Sequence, residues 1–125
     1  MKVPFNALTV SPKAPYEIVR ISDIQPILED NGNVKNYCLF PDDENRKFSV
    51  YYMELAPGSQ WQSEPHLRGT AEFVTLFAGA LEITTDHKSI VIQAGESIRF
   101  RGDTSHAYCN PSDKTAILHM ILYNP

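Results

Sequence analysis

The stretch GSQWQSEPHLRGTAEFVTLFAG, residues 58–79, decides the fold of this chain. Its second half alternates, with Glu72, Val74 and Leu76 in one phase and bulky or β-branched residues between them. Such a period of two predicts a buried strand. If Val74 and Leu76 face a core, Glu72 faces it too, and a buried carboxylate needs a partner or a metal ion.

The first half of this stretch contains Glu64 and His66, two residues apart. In a strand, side chains at this spacing point to the same face, so the two groups are predicted to converge on one ligand. Imidazole and carboxylate suit first-row divalent metals. The alternatives are an exposed glutamate before Pro65 and a surface histidine in a loop near Gly69.

A second stretch, GESIRFRGDTSHAYCN at residues 95–110, has a similar organisation. An opening glycine precedes a strand with Ile98 and Phe100, and a Gly-Asp turn leads to His106, with Tyr108 in phase. Arg99 and Arg101 share one face of that strand. They form either a solvated face or a contact for an anionic ligand.

These two stretches resemble the two motifs of the cupins, G-x5-H-x-H-x3,4-E-x6-G and G-x5-P-x-G-x2-H-x3-N. The first motif corresponds here to Gly58, Glu64, His66, Glu72 and Gly79, and the second to Gly95, Arg101, Asp103, His106 and Asn110. Three of the four metal-ligand positions match in residue type. The departures are Glu64 in place of a histidine, one extra residue before Glu72, and Arg101 and Asp103 in place of the proline and glycine.

The resemblance implies an all-β fold, the cupin-type double-stranded β-helix or jelly-roll barrel. It also implies a site in which His66, Glu72 and His106, with Glu64 as the fourth ligand, hold one divalent ion. Two imidazoles and two carboxylates favour Mn, Fe, Ni or Zn over calcium, which prefers oxygen ligands. The alternative is that these groups hold the polar end of a ligand or only hydrogen-bond one another.

A finer resemblance covers about residues 34–125, and is carried by the run 39–83, the segment HAYCNP and the closing ILYNP. These segments are similar to the C-terminal ligand-sensing domain of XRE-type helix-turn-helix transcriptional regulators. The resemblance implies a small-molecule effector, a homodimer, and contact with DNA only through an N-terminal domain absent from this chain. It also implies a bacterial, cytoplasmic protein.

Two other functions stay open. One is a metal-dependent cupin enzyme, a dioxygenase, isomerase or lyase acting on a small organic acid or sugar. The other is a metal-free storage or scaffold jelly roll. No nucleophile motif or glycine-rich phosphate loop is present, so catalysis would be metal-assisted and no catalytic residue is assigned. The finer resemblance makes the sensor the favoured hypothesis and the enzyme the alternative.

Three further side chains are predicted to line a small-molecule cavity, namely Trp61, Tyr108 and His119. Each has a simpler interpretation, because aromatic residues usually pack in a sandwich core and His119 lies in an apolar strand. His87 falls in a turn and is predicted to face solvent.

Length, charge and composition limit the functions that this chain can have. The 125 residues fit one domain, with a net charge of −4 and no basic stripe for a nucleic-acid backbone. No apolar run approaches the ~20 residues that span a bilayer. Two cysteines in unlike contexts, Cys38 and Cys109, are predicted to be reduced thiols of a cytoplasmic protein.

The order of segments predicts an N-terminal arm or linker at residues 1–15, which hold three prolines, and a cupin domain at 16–125. Within the domain, a weak strand is predicted at 16–20 and an irregular turn at 21–29. Clear strands follow at 34–40 and 48–55, and a hairpin joins 81–85 to 88–92. Residues 115–123 are apolar in both phases, which predicts a central strand or one covered by a partner. The chain is predicted to dimerise through this sheet.

Overall fold

The structure, a computed structural model, describes residues 14–125, which form ten β-strands and two short 3₁₀ turns and no α-helix. The strands are β1 (Ile27–Glu29), β2 (Val34–Phe40), β3 (Phe48–Leu55), β4 (Gln60–Ser63), β5 (Ala71–Ala78), β6 (Ala80–Thr85), β7 (Lys88–Gln93), β8 (Ser97–Arg101), β9 (His106–Cys109) and β10 (Ala116–Tyr123). In this part of the chain, no helix has the length and hydropathy required to cross a membrane.

The strands form two antiparallel sheets that enclose the core between them. The larger sheet has the order β1-β2-β3-β10-β5-β8, and the smaller has the order β4-β9-β6-β7. Apolar side chains from both sheets form one buried cluster. The predicted all-β, cupin-type jelly roll is confirmed.

Alternation along the strands sorts side chains into this core. In β5, Glu72, Val74 and Leu76 are all buried, as their shared phase predicts. In β10, Leu118 and Met120 are buried between the sheets. β10 pairs with β3 on one side and with β5 on the other, so the strand predicted to be central is central.

The N-terminal part of the domain differs from the prediction. Residues 16–20 form no strand, and Tyr16 is exposed, because a strand needs a hydrogen-bonded neighbour and the edge of the larger sheet begins only at β1. The irregular turn predicted at 21–29 resolves into a 3₁₀ turn, Ile21–Asp23, followed by β1. The predicted arm at 1–15 falls almost wholly outside the described residues.

Asn110, the last residue of the second motif, fastens the loop that leads into β10. Its side-chain amide donates to the carbonyl oxygens of Leu55 and Lys114 at 2.8 and 2.7 Å. Its side-chain oxygen accepts from the backbone N–H and hydroxyl of Ser112. Asn110 is fully buried, and its bond to Leu55 is buried with it, whereas the bonds to Ser112 and Lys114 are partly buried.

Gly79, the last residue of the first motif, is expected to tolerate no side chain. Its φ is +78°, and a Cβ there would lie 3.0 Å from both the Cα of Ala116 and the carbonyl oxygen of Thr115. Gly79→Ala should therefore cost the ~1–2 kcal/mol of a left-handed residue and about 1–3 kcal/mol more for the clash. Gly58→Ala is the matched control, since Gly58 has φ +75° and open space around it. Urea unfolding of both variants tests this, and equal losses of stability would refute the clash.

Candidate metal centre

Three of the predicted ligands meet at one end of the barrel. His66 lies in the loop after β4, Glu72 is the second residue of β5, and His106 is the first residue of β9. One ligand atom from each lies within 4.8 Å of the other two. The structure thus brings together side chains from both sheets and from the loop between β4 and β5.

Each of the two histidines is fixed by a backbone contact. The Nδ1 atom of His106 lies 2.7 Å from the carbonyl oxygen of Thr104, so Nδ1 carries the proton and Nε2 is turned to the site. The backbone N–H of His66 donates to the carbonyl oxygen of Gly102 at 2.8 Å. A hydrogen bond on the far nitrogen is the usual way in which a metal-binding imidazole is oriented.

The ligand atoms face one another closely but are not all hydrogen-bonded. Oε2 of Glu72 lies 2.6 Å from Nε2 of His106 and 3.2 Å from Nε2 of His66. Within residues 14–125, neither Oε2 of Glu72 nor Nε2 of His106, both buried, has a hydrogen-bond partner. Two unpartnered buried polar atoms that point to one spot indicate that a further group belongs there.

Electrostatics keep the carboxyl group of Glu72 ionised. Burial raises its pKa, but the imidazoles of His106 and His66 and the Tyr108 hydroxyl outweigh burial and lower the pKa to about 2. Burial lowers the pKa of His106, whereas Glu72 and the Thr104 carbonyl raise it, and the net shift is upward. Glu72 is therefore in the charged form that a metal ligand requires.

Gly102 is a site residue that the sequence pattern did not identify. A Cβ on Gly102 would lie 3.1 Å from Oε2 of Glu72 and 3.2 Å from Cδ2 of His66. Its N–H donates to the carbonyl oxygen of Thr70, and its own carbonyl oxygen accepts from His66. Because glycine has no side chain, Glu72 and His66 can both approach Gly102 closely. The backbone of Gly102 also holds the loop that carries His66 in place.

Asn124, just after β10, joins two loops at this end of the barrel and was also not identified. Its side-chain oxygen accepts from the Thr70 hydroxyl at 3.0 Å, and its side-chain amide donates to Asp42 at 3.1 Å. Its backbone N–H donates to the carbonyl oxygen of Lys47. The segment before β5 is thereby tied to the loop between β2 and β3.

Glu64 does not belong to the cluster. β4 ends at Ser63, so the prediction that Glu64 and His66 share a strand face is wrong. The physical reason is Pro65, which has no N–H to continue the ladder. Both residues lie in the loop, where Glu64 is exposed and His66 turns inward with its side chain 33% exposed.

The three residues predicted to line a ligand cavity occupy different environments. Tyr108 is buried, and its hydroxyl donates to Oε1 of Glu72. Trp61 is half-buried and stacks on Tyr108, with ring centroids 5.1 Å apart and planes at 15°. His119 alternates with the inward-facing Leu118 and Met120, so it lies on the opposite face of the larger sheet, away from the cluster. His87 is exposed in the β6–β7 turn, as predicted.

Open depressions lie on the outer side of the smaller sheet. One of about 400 Å³ is lined mainly by the β6–β7 turn, the loop before β9 and Gln62. His106 borders it, but the His106 side chain is fully buried and its imidazole faces the opposite way, towards Glu72. This depression is therefore separate from the candidate metal centre.

The donor set suits a divalent transition metal. His66, Glu72 and His106 offer two imidazole nitrogens and one carboxylate oxygen, a combination found for non-haem Fe(II) and also suited to Mn, Ni or Zn. Three protein ligands leave coordination positions for water or a small molecule. The unpartnered Oε2 and Nε2 atoms fit this interpretation.

Comparison with known protein families supports the fold and the motifs described above. The family model described as "Cupin domain" matches residues 51–122, which include all three residues of the cluster. The chain therefore belongs to the cupin family.

Within that family the chain is similar to domains of transcriptional regulators. It is 31% identical over 87 residues to the HTH-type transcriptional regulator SutR of Escherichia coli (strain K12), covering 70% of this chain and 49% of that protein. The chain thus spans about half the length of this curated relative. A solved Cupin_2 domain of an XRE family transcriptional regulator from Enterobacter cloacae is 34% identical, with a TM-score of 0.71, covering 74% of this chain and 98% of that chain.

Enzyme-like structures share the fold as well. The structure of a predicted oxalate decarboxylase from Thermotoga maritima has a TM-score of 0.73 and 21% sequence identity. The match covers 87% of this chain and 100% of that chain. At this identity the likeness concerns the fold alone.

Proposed function

We propose that this chain is a sensor domain that binds a small-molecule effector at a metal ion held by His66, Glu72 and His106. The observation that carries the proposal is the convergence of these three ligand atoms within 4.8 Å at one end of the barrel. A metal with open positions binds carboxylates and other oxygen ligands directly, and would supply the anchor for an effector. The similarity to the regulator domain from Enterobacter cloacae favours sensing over catalysis.

The proposed sensor would act through a DNA-binding domain outside these 125 residues. In this proposal residues 1–15 are the connecting arm, residues 16–125 are the sensor, and the whole protein is cytoplasmic. A net charge of −4 makes direct binding of DNA by this chain unfavourable. Operators with two-fold symmetry are read by dimers, so the sensor would also hold two copies together.

The dimer contact that we propose is the outer face of the larger sheet. Most side chains on this outer face are apolar, although Glu54, Thr75 and His119 also belong to it. The apolar ones are Phe48, Val50, Tyr52, Phe73, Phe77, Ile117, Ile121 and Tyr123. Several are substantially exposed, and Phe77 is 61% exposed. A largely apolar surface of this kind, across three neighbouring strands, favours an isologous contact with a second copy.

The alternative function is a metal-dependent enzyme acting on a small organic acid or sugar. One observation favours it: two histidines and one carboxylate leave several metal positions free for substrate and a second reactant. Glu64, being exposed, would not fill one of them. A sensor and an enzyme would use the same ligands, and they differ in whether the bound molecule is altered.

One experiment separates the two functions. The purified chain is loaded with Mn²⁺, Fe²⁺, Ni²⁺ or Zn²⁺ and titrated by calorimetry with a panel of small organic acids and sugars. The same mixtures are then analysed by mass spectrometry. We expect one chemical class to bind with a stoichiometry near one and to be recovered unchanged. Conversion of the bound compound would favour the enzyme, and no metal uptake at all would refute the metal-dependent sensor.

A further inference from the structure

The two oxygens of the Glu72 carboxylate have different surroundings. Oε1 accepts a hydrogen bond from the hydroxyl of Tyr108. Oε2 faces the two imidazole nitrogens and, among the described residues, has no hydrogen-bond partner. An ionised carboxylate can accept at both oxygens, so the asymmetry is imposed by its neighbours.

Tyr108 is held so that its hydroxyl stays on Oε1. The ring is only 1% exposed, stacks on Trp61, and meets the edge of Phe100 at a centroid distance of 6.2 Å. In the part of the chain that the structure describes, the other acceptor near the hydroxyl is the Met120 sulfur at 3.5 Å, which is a weak one. Rotation of the ring or the hydroxyl away from Glu72 would leave a buried polar group without a good partner.

Tyr108 was predicted to line a ligand cavity, which stays a prediction, and its surroundings indicate a second role, at the metal centre. Its ring is almost fully buried, and its hydroxyl contacts a metal-ligand candidate directly. In this second role, its effect on binding passes through Glu72.

We infer that Tyr108 is a positioning residue that occupies Oε1 of Glu72 and so restricts this carboxylate to metal binding through Oε2 alone. This inference rests on the metal site of the proposed function. Single-oxygen ligation by Glu72, with two imidazoles, suits small transition ions, which take few ligands. Two-oxygen ligation would favour larger ions with more oxygen ligands. Tyr108 would thus set both the affinity and the selectivity of the site.

The test is Tyr108→Phe, which removes the hydroxyl and keeps the ring that packs on Trp61. We expect affinity for Zn²⁺ to fall about 10–100-fold, the usual effect of removing a group that orients a ligand. Affinity for Mn²⁺ should fall less, so the preference of the site for Zn²⁺ over Mn²⁺ should become smaller. The visible spectrum of bound Co²⁺ should weaken, as the coordination number rises. Trp61, the single tryptophan of the chain, reports binding by its fluorescence.

Met120→Leu is the control, since it removes the weaker acceptor and leaves the contact between Tyr108 and Glu72 in place. It should keep the parental metal affinities and the parental Co²⁺ spectrum. If Tyr108→Phe also keeps both, the inference is overturned although the metal site stands. A protein that binds none of these ions would overturn the inference and the metal site together.

X-ray absorption spectroscopy of the metal-loaded parent tests the same point without any variant, in case Tyr108→Phe fails to fold. We expect two nitrogens and one carboxylate oxygen from the protein around the metal. A carboxylate bound through both oxygens would overturn the inference.

Discussion

The double substitution His66→Ala and His106→Ala is expected to abolish binding of divalent transition metals. The variant retains only Glu72 of the cluster, and one buried carboxylate does not hold a transition ion against water. Calorimetric titration with Zn²⁺ and Ni²⁺ should show binding in the parent and none in the variant. Stabilisation by metal should disappear as well, a loss of about 2.7 kcal/mol when the free ion exceeds its dissociation constant ~100-fold.

Two further variants make this result interpretable. His87→Asn removes an exposed histidine from a turn where φ is +61°, a conformation that asparagine accepts, and should leave metal binding unchanged. His66→Ala alone alters a side chain that is 33% exposed, so the barrel should fold while metal affinity falls steeply. If the double variant binds metal as the parent does, the site is not where we place it.

Phe73→Glu is expected to convert the proposed dimer into a monomer. Phe73 lies on the outer face, opposite Ile121 in β10 and Arg99 in β8. In the monomer the new carboxylate can pair with Arg99, so the fold should tolerate it. In a dimer it would be buried against apolar side chains, and the loss of about 2 kcal/mol or more weakens association on the order of 30-fold.

Sedimentation equilibrium at micromolar concentration measures this change. The matched control is Val91→Lys, on the outside of the smaller sheet, where Val91 is 49% exposed and faces Glu82 across the strand pair. It should remain dimeric. A parent protein that is monomeric under these conditions would refute the outer-face contact, and a dimeric Phe73→Glu variant would place the contact elsewhere.

The fold could be predicted because its main signal is local. Alternation in β5 places Val74 and Leu76 in the core, and Glu72 follows from the same phase. His106 and Tyr108 are in phase in β9 and both are buried. For these positions, a period of two and the cupin motif spacing are sufficient, because neither depends on which strands become neighbours.

The predictions failed, or missed residues, where the local sequence pattern does not determine which side chains meet in the fold. Spacing placed Glu64 beside His66 only if the strand continued through Pro65, and it does not. In β10 both phases are apolar, so alternation could not indicate that Leu118 faces inward and His119 outward. Gly102 and Asn124 act through contacts with residues far away in the chain, and such contacts become visible only once the sheets are assembled.

The central place of β10 has a consequence for the order in which the molecule is built. β3 and β5 each pair with β10, yet both are synthesised long before it. Until residues 116–123 leave the ribosome, these two strands have open edges where β10 will lie, and Glu72 lacks Leu122, its cross-strand partner on that side, although Phe100 of β8 can already face it on the other. Non-local pairing of this kind is slow and leaves apolar edges accessible. The apolar edges of β3 and β5 should therefore stay open in the nascent chain until its tenth strand arrives, and the larger sheet should be completed only at that late step.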